Sequence, residues 1–545
     1  MPEYAIRLID QTLTSLTVFP WTLAAGEQAI RLTDQIVIGL GFLLLLGIGG
    51  VCSLRGRTDE GYFLAGRSMP GWVVGFSMMA TIISSMTFLA IPAFAFGDGN
   101  WKNFLAHLTY LPAIVVAIYL FIPLFRRTHV SSAYEYLERR FGVRTRMYAA
   151  GCFVLFHLFR TGIVLYAVSL AIRSIFQMPD ESLPQIILVA GLLVSAYTIL
   201  GGLEAVIWTD VVQGIALMSG GLFCLPIIIW QLPEGFGQLF SVAVADNKFE
   251  LGSTTFTLGE KTLWAYILAE GMVYLHVLGT DQTNVQRYCA ARSDKDASRA
   301  AVIGCCLAIP TWTYFLFLGT SLYVFVKVVP DSGLQGLDPD QVFPRFILEQ
   351  VPPGVAGFVL TGLLASAMST LDSSINAVAA TMTTDFYKRL WVRDRDPRHY
   401  ANIGKLISLL FSIFMITTAC GIYYARPSET RLDDLQRTLL SVLSGGLLGL
   451  FLLGFVTRRV DSRAARIAIL VTILTSAGWL VVDFGLTESL FPGLAELLPD
   501  KFWLSTFANL LMFGVGYGVS LLIGNPSDND LKDLTIWTTP TSDNP

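Results

Sequence analysis

The chain has 545 residues, 53% of them hydrophobic and 14% charged, and its formal net charge is −4. Soluble domains carry about 25% charged residues, so this composition excludes a soluble globular protein. The small net charge gives no indication of nucleic-acid binding. The sequence contains no P-loop with which the chain itself could hydrolyse ATP.

Apolar runs predict the architecture, because a helix needs about 20 apolar residues to cross a bilayer. They indicate an all-α polytopic membrane protein with about thirteen transmembrane helices. The predicted spans are 35–54, 70–97, 104–125, 147–177, 184–200, 204–232, 262–282, 298–328, 353–387, 401–425, 436–456, 464–484 and 502–524.

The charges of the loops predict the orientation. Arginine and lysine are concentrated in 126–146, in 388–400 and after the eleventh span, and these loops lie on one side. Because basic loops stay in the cytoplasm, segment 1–34 is predicted to lie outside and the tail 525–545 inside. The tail is polar and is predicted to be flexible. We expect a multi-pass protein of a bacterial inner membrane.

Two spans are predicted to be broken helices. Pro92 and Gly97 weaken the second span, and Gly271 and Gly279 weaken the seventh. The two spans hold equivalent places in two groups of five, and an odd number of crossings inverts the second group. Broken helices in inverted repeats are typical of secondary transporters. The predicted segments are the repeats 70–232 and 262–456, one extra helix at 35–54 and two extra helices within 464–524.

A stripe of hydroxyl side chains follows the ninth span. Ser366, Ser369, Thr370 and Ser373 are three or four residues apart, so they share one helix face. Small hydroxyl residues also occur where membrane helices pack closely. The stripe alone therefore leaves a binding site and a helix interface as alternatives.

A carboxylate, Asp210, lies in the sixth span about two turns after Gly201 and Gly202. An ionised carboxylate inside a membrane needs a cation. The basic residues counted inside the spans are Arg160, Arg173 and Lys405. A monovalent cation held by Asp210 and hydroxyl oxygens would satisfy the charge. The alternative is that Asp210 braces the Gly201-Gly202 turn by hydrogen bonding.

Three sequence blocks resemble the sodium:solute symporters, a family with the leucine-transporter fold. They are GGLEAVIWTDVVQ (201–213), TDQTNVQRYCAARSDKDA (280–297) and SAMSTLDSSINAVAATMTTDFYKR (366–389). The resemblance covers residues from about 35 to 525 and implies one or two bound sodium ions. The implied ligands of the main sodium site are the carbonyls of Ala80 and Ile83 with Ser366, Ser369 and Thr370. The implied ligands of a second sodium site are Asp210 with Ser366, Ser369 and Thr370.

The stretch ATIISSMTFLAIPA (80–93) is most similar to the bacterial sodium/sialic acid symporters of this family. That similarity implies solute contacts from Ser84 and Thr87. It also implies that Arg160, in HLFRTGIVLY (157–166), binds the carboxylate of the sugar. The alternative for Arg160 is an internal ion pair with a carboxylate such as Glu270.

Two positions depart from the sialic acid pattern. Asn103 stands near an aromatic residue of those symporters, and His107 stands near a glutamine. Both are candidate solute-binding residues, and the alternative for His107 is packing within a helix interface. The departures leave a neutral sugar as the second candidate substrate.

We therefore expect a sodium-coupled symporter that imports a small polar solute, with a carboxylate-bearing sugar as the first candidate. A uniporter needs no sodium ligands, and a membrane sensor needs an output domain that the short tail does not supply. No nucleophile–base pair or metal-ligand cluster indicates an enzyme. The predicted partners are sodium, the solute and the bilayer, with no obligate protein partner.

Overall fold

The computed structural model describes residues 31–53, 58–83, 85–176, 178–425, 441–443, 445–483, 498–523 and 531–538. In these ranges the chain is helical, and its only β structure is one isolated bridge between Met69 and Ala291. The predicted all-α class is confirmed. Of the sequence predictions, those for residues 1–30, Ser84, residues 436–440 and the parts of the tail before 531 and after 538 fall outside the described residues.

The α-helices of the described ranges are numbered in chain order. They are α1 (Leu32–Ser53), α2 (Asp59–Leu64), α3 (Gly71–Ile82), α4 (Ser85–Phe96), α5 (Phe104–Leu108), α6 (Tyr110–Val116), α7 (Ile122–Arg127), α8 (Ala133–Phe141), α9 (Val143–Ile175), α10 (Leu183–Gln231), α11 (Gly235–Ala245), α12 (Leu263–Gly279), α13 (Gln282–Ala290), α14 (Asp294–Val328), α15 (Pro339–Gln350), α16 (Val355–Thr381), α17 (Pro397–Ala425), α18 (Leu447–Val456), α19 (Ser462–Asp483) and α20 (Leu504–Ile523). The π-helical stretches Ala117–Phe121 and Met382–Trp391 continue α6 and α16.

Nine helical segments of the described chain are long and apolar enough to cross a membrane, and two bent pairs bring the number to eleven. Two predicted spans remain. One is accounted for because α10 contains two predicted spans, 184–200 and 204–232, and the other corresponds to the shorter helix α18. The described chain thus has a helix for each predicted span, while the count of thirteen crossings stays a prediction.

The two predicted broken spans are confirmed. Segments Gly71–Ile82 and Thr87–Phe96 are bent by 54°, and α12 and α13 are bent by 46°. The first break follows Ile83, whereas Pro92 lies inside α4. The expectation that Pro92 and Gly97 mark this break is therefore wrong, because a proline ring disturbs only the turn before it. The second break directly follows Gly279, as the sequence indicates.

Helix α10 contains two predicted spans without a loop between them. Its 49 residues would extend about 74 Å at 1.5 Å per residue, well beyond a hydrocarbon core of about 30 Å. The backbone leaves the helical conformation at Gly202, where φ is 60° and ψ is −155°. A Cβ atom at Gly202 would lie 2.6 Å from the carbonyl oxygen of Tyr62. Glycine is thus required where the predicted spans 184–200 and 204–232 meet.

Helix α16 forms the centre of the bundle. It is buried almost throughout and packs along α10, with further contacts to α3, α9 and α13. Peripheral helices instead expose leucines such as Leu43, Leu409 and Leu474, as expected for surfaces that face lipid. The hydroxyl stripe on α16 therefore lies inside the protein.

An ion cluster lies at the predicted cytoplasmic side. Arg146 pairs with Glu138 and Asp385 at 2.6 Å each, and Arg389 pairs with Glu138 at 2.6 Å. Ser132 donates a hydrogen bond to Asp385. Partial burial raises the pKa of Glu138, but hydrogen bonds from the two arginines outweigh it and hold that pKa below its usual value. The cluster joins α8, α9 and the end of α16.

The tail departs from its prediction. The hydroxyl of Tyr136 donates to the carbonyl of Leu534 at 2.7 Å, and the indole of Trp537 donates to the carbonyl of Val456 at 2.6 Å. Leu531 and Leu534 are buried. Residues 531–538 are therefore docked against α8 and α18, and a flexible tail is the wrong expectation for them. The polar composition of the whole tail obscures this short apolar stretch.

We expect Gly202→Ala to lower the thermal stability of the purified protein strongly. An alanine at this φ and ψ costs about 1–3 kcal/mol in backbone strain, and its Cβ would also overlap the Tyr62 carbonyl. Gly47→Ala is the matched control, because Gly47 lies in α1 with nothing within 4 Å of an added Cβ. Equal melting temperatures for the two variants in detergent would contradict this account.

Candidate cation and solute sites

The end of α3 is suited to attract a cation. The amide of Ile83 bonds to the carbonyl of Met79 at 3.0 Å, and the backbone of Ile83 then becomes extended. The last carbonyls of a helix accept no hydrogen bond from a following turn, because there are no further helical amides. The helix dipole also gives this end a partial negative charge. Ala80 and Ile83 are both buried here. Their carbonyls thus lie at the negative end of a broken helix inside the protein.

The hydroxyl stripe of α16 faces that end. Ser369 donates hydrogen bonds to the carbonyls of Ala80 at 2.9 Å and Ser366 at 3.0 Å. Ser366 and Thr370 lie within one turn of Ser369 and are buried with it. The structure thus brings Ser369 into contact with Ala80, with Ile83 at the end of α3 and Ser366 and Thr370 beside Ser369 in the middle of α16. Carbonyl and hydroxyl oxygens are the ligands that hard cations prefer.

Asp210 is bound to a guanidinium. Arg287 donates from Nη2 to Oδ2 of Asp210 at 2.9 Å, and the hydroxyl of Ser77 donates to the same oxygen at 2.5 Å. Arg287 also donates from Nε to Ser77 at 2.7 Å and from Nη2 to Ser373 at 2.6 Å. Asp210 and Arg287 are fully buried. This ion pair connects α10 and α13 to α3 and α16.

Arg287 supplies a positive charge to Asp210 from within the protein. The sequence-based expectation that Asp210 needs a bound cation for charge balance is therefore corrected. Arg287 follows the break after α12, beyond the predicted end of the seventh span, so it was not counted among the intramembrane basic residues. In the described residues Asp210 also accepts no hydrogen bond from Ser366, Ser369 or Thr370. Asp210 is instead linked to α16 indirectly, because Arg287 donates hydrogen bonds both to Asp210 and to Ser373. Ser373 lies one turn after Thr370. The bracing of the Gly201-Gly202 turn by Asp210 is likewise not observed.

A second carboxylate, Asp372, lies beside this pair. Its Oδ2 accepts a hydrogen bond from the Tyr197 hydroxyl at 2.7 Å, and its Oδ1 accepts one from Ser373 at 3.3 Å. Gln213 donates weakly to the Tyr197 hydroxyl at 3.5 Å. Asp372 is fully buried. Sequence reasoning treated Asp372 only as part of the α16 motif, although a carboxylate inside a span is itself a signal.

Arg160 has one buried guanidinium nitrogen without a hydrogen-bond partner in the described chain. This atom is Nε, and the guanidinium carbon lies 5.8 Å from the ring centre of Phe156. Within the described chain Arg160 forms no ion pair, so the alternative pairing with Glu270 is not observed. Asp281 acts on it electrostatically but bonds to Thr283 and lies 3.5 Å from the His157 ring.

The other predicted solute residues are spread over two helices. Thr87 is half-buried on α4, which contacts the helix of Arg160. Asn103 precedes α5, and its Oδ1 is buried with no donor in the described part of the chain. His107 bonds to the hydroxyl of Tyr274 at 2.9 Å and stacks on Trp312. His107 is therefore packed in an aromatic group.

Comparison with known proteins decides the family. The sequence pattern of the sodium:solute symporter family matches residues 62–472. The chain belongs to this family.

Two curated relatives of this symporter are bacterial. The chain is 31% identical over 436 residues to the sodium/sialic acid symporter SiaT of Proteus mirabilis, covering 80% of this chain and 86% of that protein. It is 29% identical over 432 residues to the sodium/sialic acid symporter NanT of Aliivibrio fischeri, covering 79% and 84%. A solved Na⁺-coupled sialic acid symporter, in a substrate-bound outward-open state, is similar with a TM-score of 0.82 and 26% identity over 91% of this chain and 99% of that one.

The similarity confirms the transporter fold and the class of protein. A sodium:solute symporter with this helix order is a multi-pass membrane protein with the leucine-transporter-like architecture that the motifs implied. The individual sodium and solute ligands are not tested by the comparisons and stay predictions.

We expect Arg287→Gln to destabilise the symporter, because it leaves the Asp210 carboxylate buried without its guanidinium. Breaking a buried ion pair by removing one partner costs about 3–5 kcal/mol. The double variant Asp210→Asn/Arg287→Gln should recover part of the loss in melting temperature. Lys327→Gln, which removes an exposed pair with Asp246, is the control and should change little. Additive losses in the double variant would contradict a direct pair.

Proposed function

We propose that this protein imports a carboxylate-bearing sugar of the sialic acid type together with sodium. The observation that supports this substrate is the guanidinium of Arg160, whose Nε is buried without a hydrogen-bond partner and which forms no ion pair in the described chain. A planar guanidinium can bind both oxygens of a carboxylate. The similarity to two sialic acid symporters supports the same substrate class.

We propose that the main sodium ion binds between the end of α3 and the stripe of α16. Its ligands are the carbonyls of Ala80 and Ile83 and the side chains of Ser366, Ser369 and Thr370. The contact between Ser369 and Ala80 supports this assignment, because it holds the end of α3 against the hydroxyl stripe of α16. A second sodium binds at Asp210, whose Oδ1 accepts no hydrogen bond from the described residues.

The coupling follows from the placement of the ion between two parts of the bundle. Sodium from outside stabilises the arrangement in which the broken end of α3 and the stripe of α16 stay together. The solute binds to that arrangement better than to the alternative, so the two ligands favour each other. We place the protein in a bacterial inner membrane with its amino terminus outside and its carboxyl terminus in the cytoplasm. Transport needs no enzymatic step.

We expect the double variant Ser369→Ala/Thr370→Ala to raise the sodium concentration for half-maximal uptake by about tenfold or more, since each lost ligand to a charged group costs about 1.5–3 kcal/mol. Uptake of a radiolabelled sialic acid into proteoliposomes measures this, with potassium replacing sodium at constant pH. The control is Ser169→Ala/Ser412→Ala, whose buried hydroxyls bond only to carbonyls four residues earlier. Unchanged sodium dependence would place the main site elsewhere.

We expect Arg160→Lys to weaken binding of a sialic acid about tenfold or more, because an ammonium does not reproduce bidentate pairing. Sodium affinity without solute should stay nearly unchanged. Arg173→Lys is the matched control, since Arg173 lies in the last turn of α9 and pairs with Asp180. Isothermal titration with a sugar acid and with a neutral sugar provides the measurement. Preference for the neutral sugar, or no effect of Arg160→Lys, would favour the neutral-sugar alternative.

A further inference from the structure

His157 connects the helix of Arg160 to the helix of the hydroxyl stripe. Its ring is fully buried in α9 and packs on Phe153 and Phe156, with ring centres 4.2 and 5.2 Å away. Arg160 follows one turn later on the same helix, and its guanidinium lies over the ring of Phe156. Packing thus fixes His157 within the turn of α9 that carries Arg160.

The hydrogen bond from α9 to α16 has a defined direction. Ser374 donates its hydroxyl proton to the carbonyl of Thr370 at 2.8 Å. Nδ1 of His157 lies 3.0 Å from the same hydroxyl oxygen. Because a serine hydroxyl has a single proton to donate, the histidine is the donor in this contact. A chain of two hydrogen bonds therefore runs from α9 through Ser374 to the backbone of Thr370.

The other ring nitrogen of His157 faces the break between α12 and α13. Nε2 lies 3.5 Å from Oδ2 of Asp281, the residue that caps the amino end of α13. This nitrogen forms no hydrogen bond within the described chain. The charge of Asp281 also acts on Arg160. His157 thus lies between α16 and the second broken span, and its hydrogen bond goes to α16.

A second link joins α9 to the π-helical continuation of α16. It lies at the predicted cytoplasmic side, where Arg146 pairs with Asp385 at 2.6 Å. His157 lies about 16 Å further along α9 at 1.5 Å per residue. The two helices are therefore held together at two levels, and the hydrogen bond from His157 to Ser374 is the link beside the proposed sites.

We propose that His157 is a positioning residue that couples the main sodium site to the solute site, an inference that rests on the proposed function of Thr370 and Arg160. Sodium bound to the hydroxyl of Thr370 fixes the turn of α16 whose carbonyl holds Ser374. Ser374 in turn holds the His157 ring, and with it the turn of α9 that carries Arg160. Sodium thereby places the guanidinium for the solute, and the solute stabilises the sodium ligands by the same factor.

Four variants separate this coupling from simple packing. His157→Asn keeps a donor for Ser374, because the amide nitrogen of asparagine occupies nearly the same place as Nδ1. His157→Leu keeps a side chain of similar size but removes the donor. Ser374→Ala removes both hydrogen bonds of the chain to Thr370. Ser412→Ala is the matched control, since its buried hydroxyl bonds only to the carbonyl of Ser408 within α17.

Isothermal titration of the purified protein with a sialic acid, once in saturating sodium and once in potassium, measures the coupling. The ratio of the two affinities is the coupling factor, which should be about 5–150 in the wild type, the usual range between two sites. His157→Leu and Ser374→Ala should each reduce this factor about fivefold, the change expected for one lost hydrogen bond. His157→Asn and Ser412→Ala should keep it. Affinity for the solute in potassium, and for radioactive sodium without solute, should stay near the wild-type values.

A role of His157 in packing alone predicts a different result. His157→Leu would then lower the melting temperature and weaken solute binding equally in sodium and in potassium, so that the coupling factor stays unchanged. The double variant His157→Leu/Ser374→Ala should lose no more coupling than either single variant, because both remove the same link. Additive losses, or a His157→Asn variant as uncoupled as His157→Leu, would overturn the positioning role.

The outcomes also separate this role from the proposed function. A wild type whose sialic acid affinity rises with sodium, together with unchanged coupling in His157→Leu and Ser374→Ala, would overturn the role of His157 and leave sodium symport intact. A wild type that binds no sialic acid in sodium would contradict the proposed substrate itself, and the role of His157 with it. Ser374→Ala tests the same link from α16 if His157→Leu does not fold.

Discussion

The arrangement of the core depends on one buried guanidinium. Arg287 projects from the helix that follows the second break and reaches the helix that precedes the first break through Ser77. The same side chain binds Asp210 and Ser373, so it joins four helices at one place. A charge buried among helices has no water as an alternative partner, and these contacts are therefore obligatory. The two broken spans are held in register by it.

The sequence predicts the helical class, the broken spans and the common face of the α16 hydroxyls, because each depends on composition or on spacing within one helix. Arg287 was missed since its importance depends on where a bent helix points. The position of the first break was misassigned because the carbonyls at Ile83 are released by a turn that neither glycine nor proline marks. Such features arise from contacts between helices, which a linear pattern does not contain.

The proposed sodium site lies where the end of a broken helix, α3, meets the long helix α16. The proposed solute residues lie on α4, on α9, which contacts α4, and at α5. Carbonyl oxygens at helix ends can bind a cation although they carry no formal charge themselves. Asp210 is instead placed in the interior of the long helix α10, and Arg287 reaches it from the short helix α13.

The docked residues 531–538 have a consequence for movement of α8 relative to α18. Residues 531–538 bond to Tyr136 on α8 and to the carbonyls of Phe455 and Val456 at the end of α18. A rearrangement that separates α8 from α18 must first break these bonds and expose Leu531 and Leu534. Residues 531–538 thus hold α8 and α18 together, and undocking them adds to the free energy needed to separate these two helices. Separation of α8 from α18 is in this way linked to a segment remote from the proposed ligands.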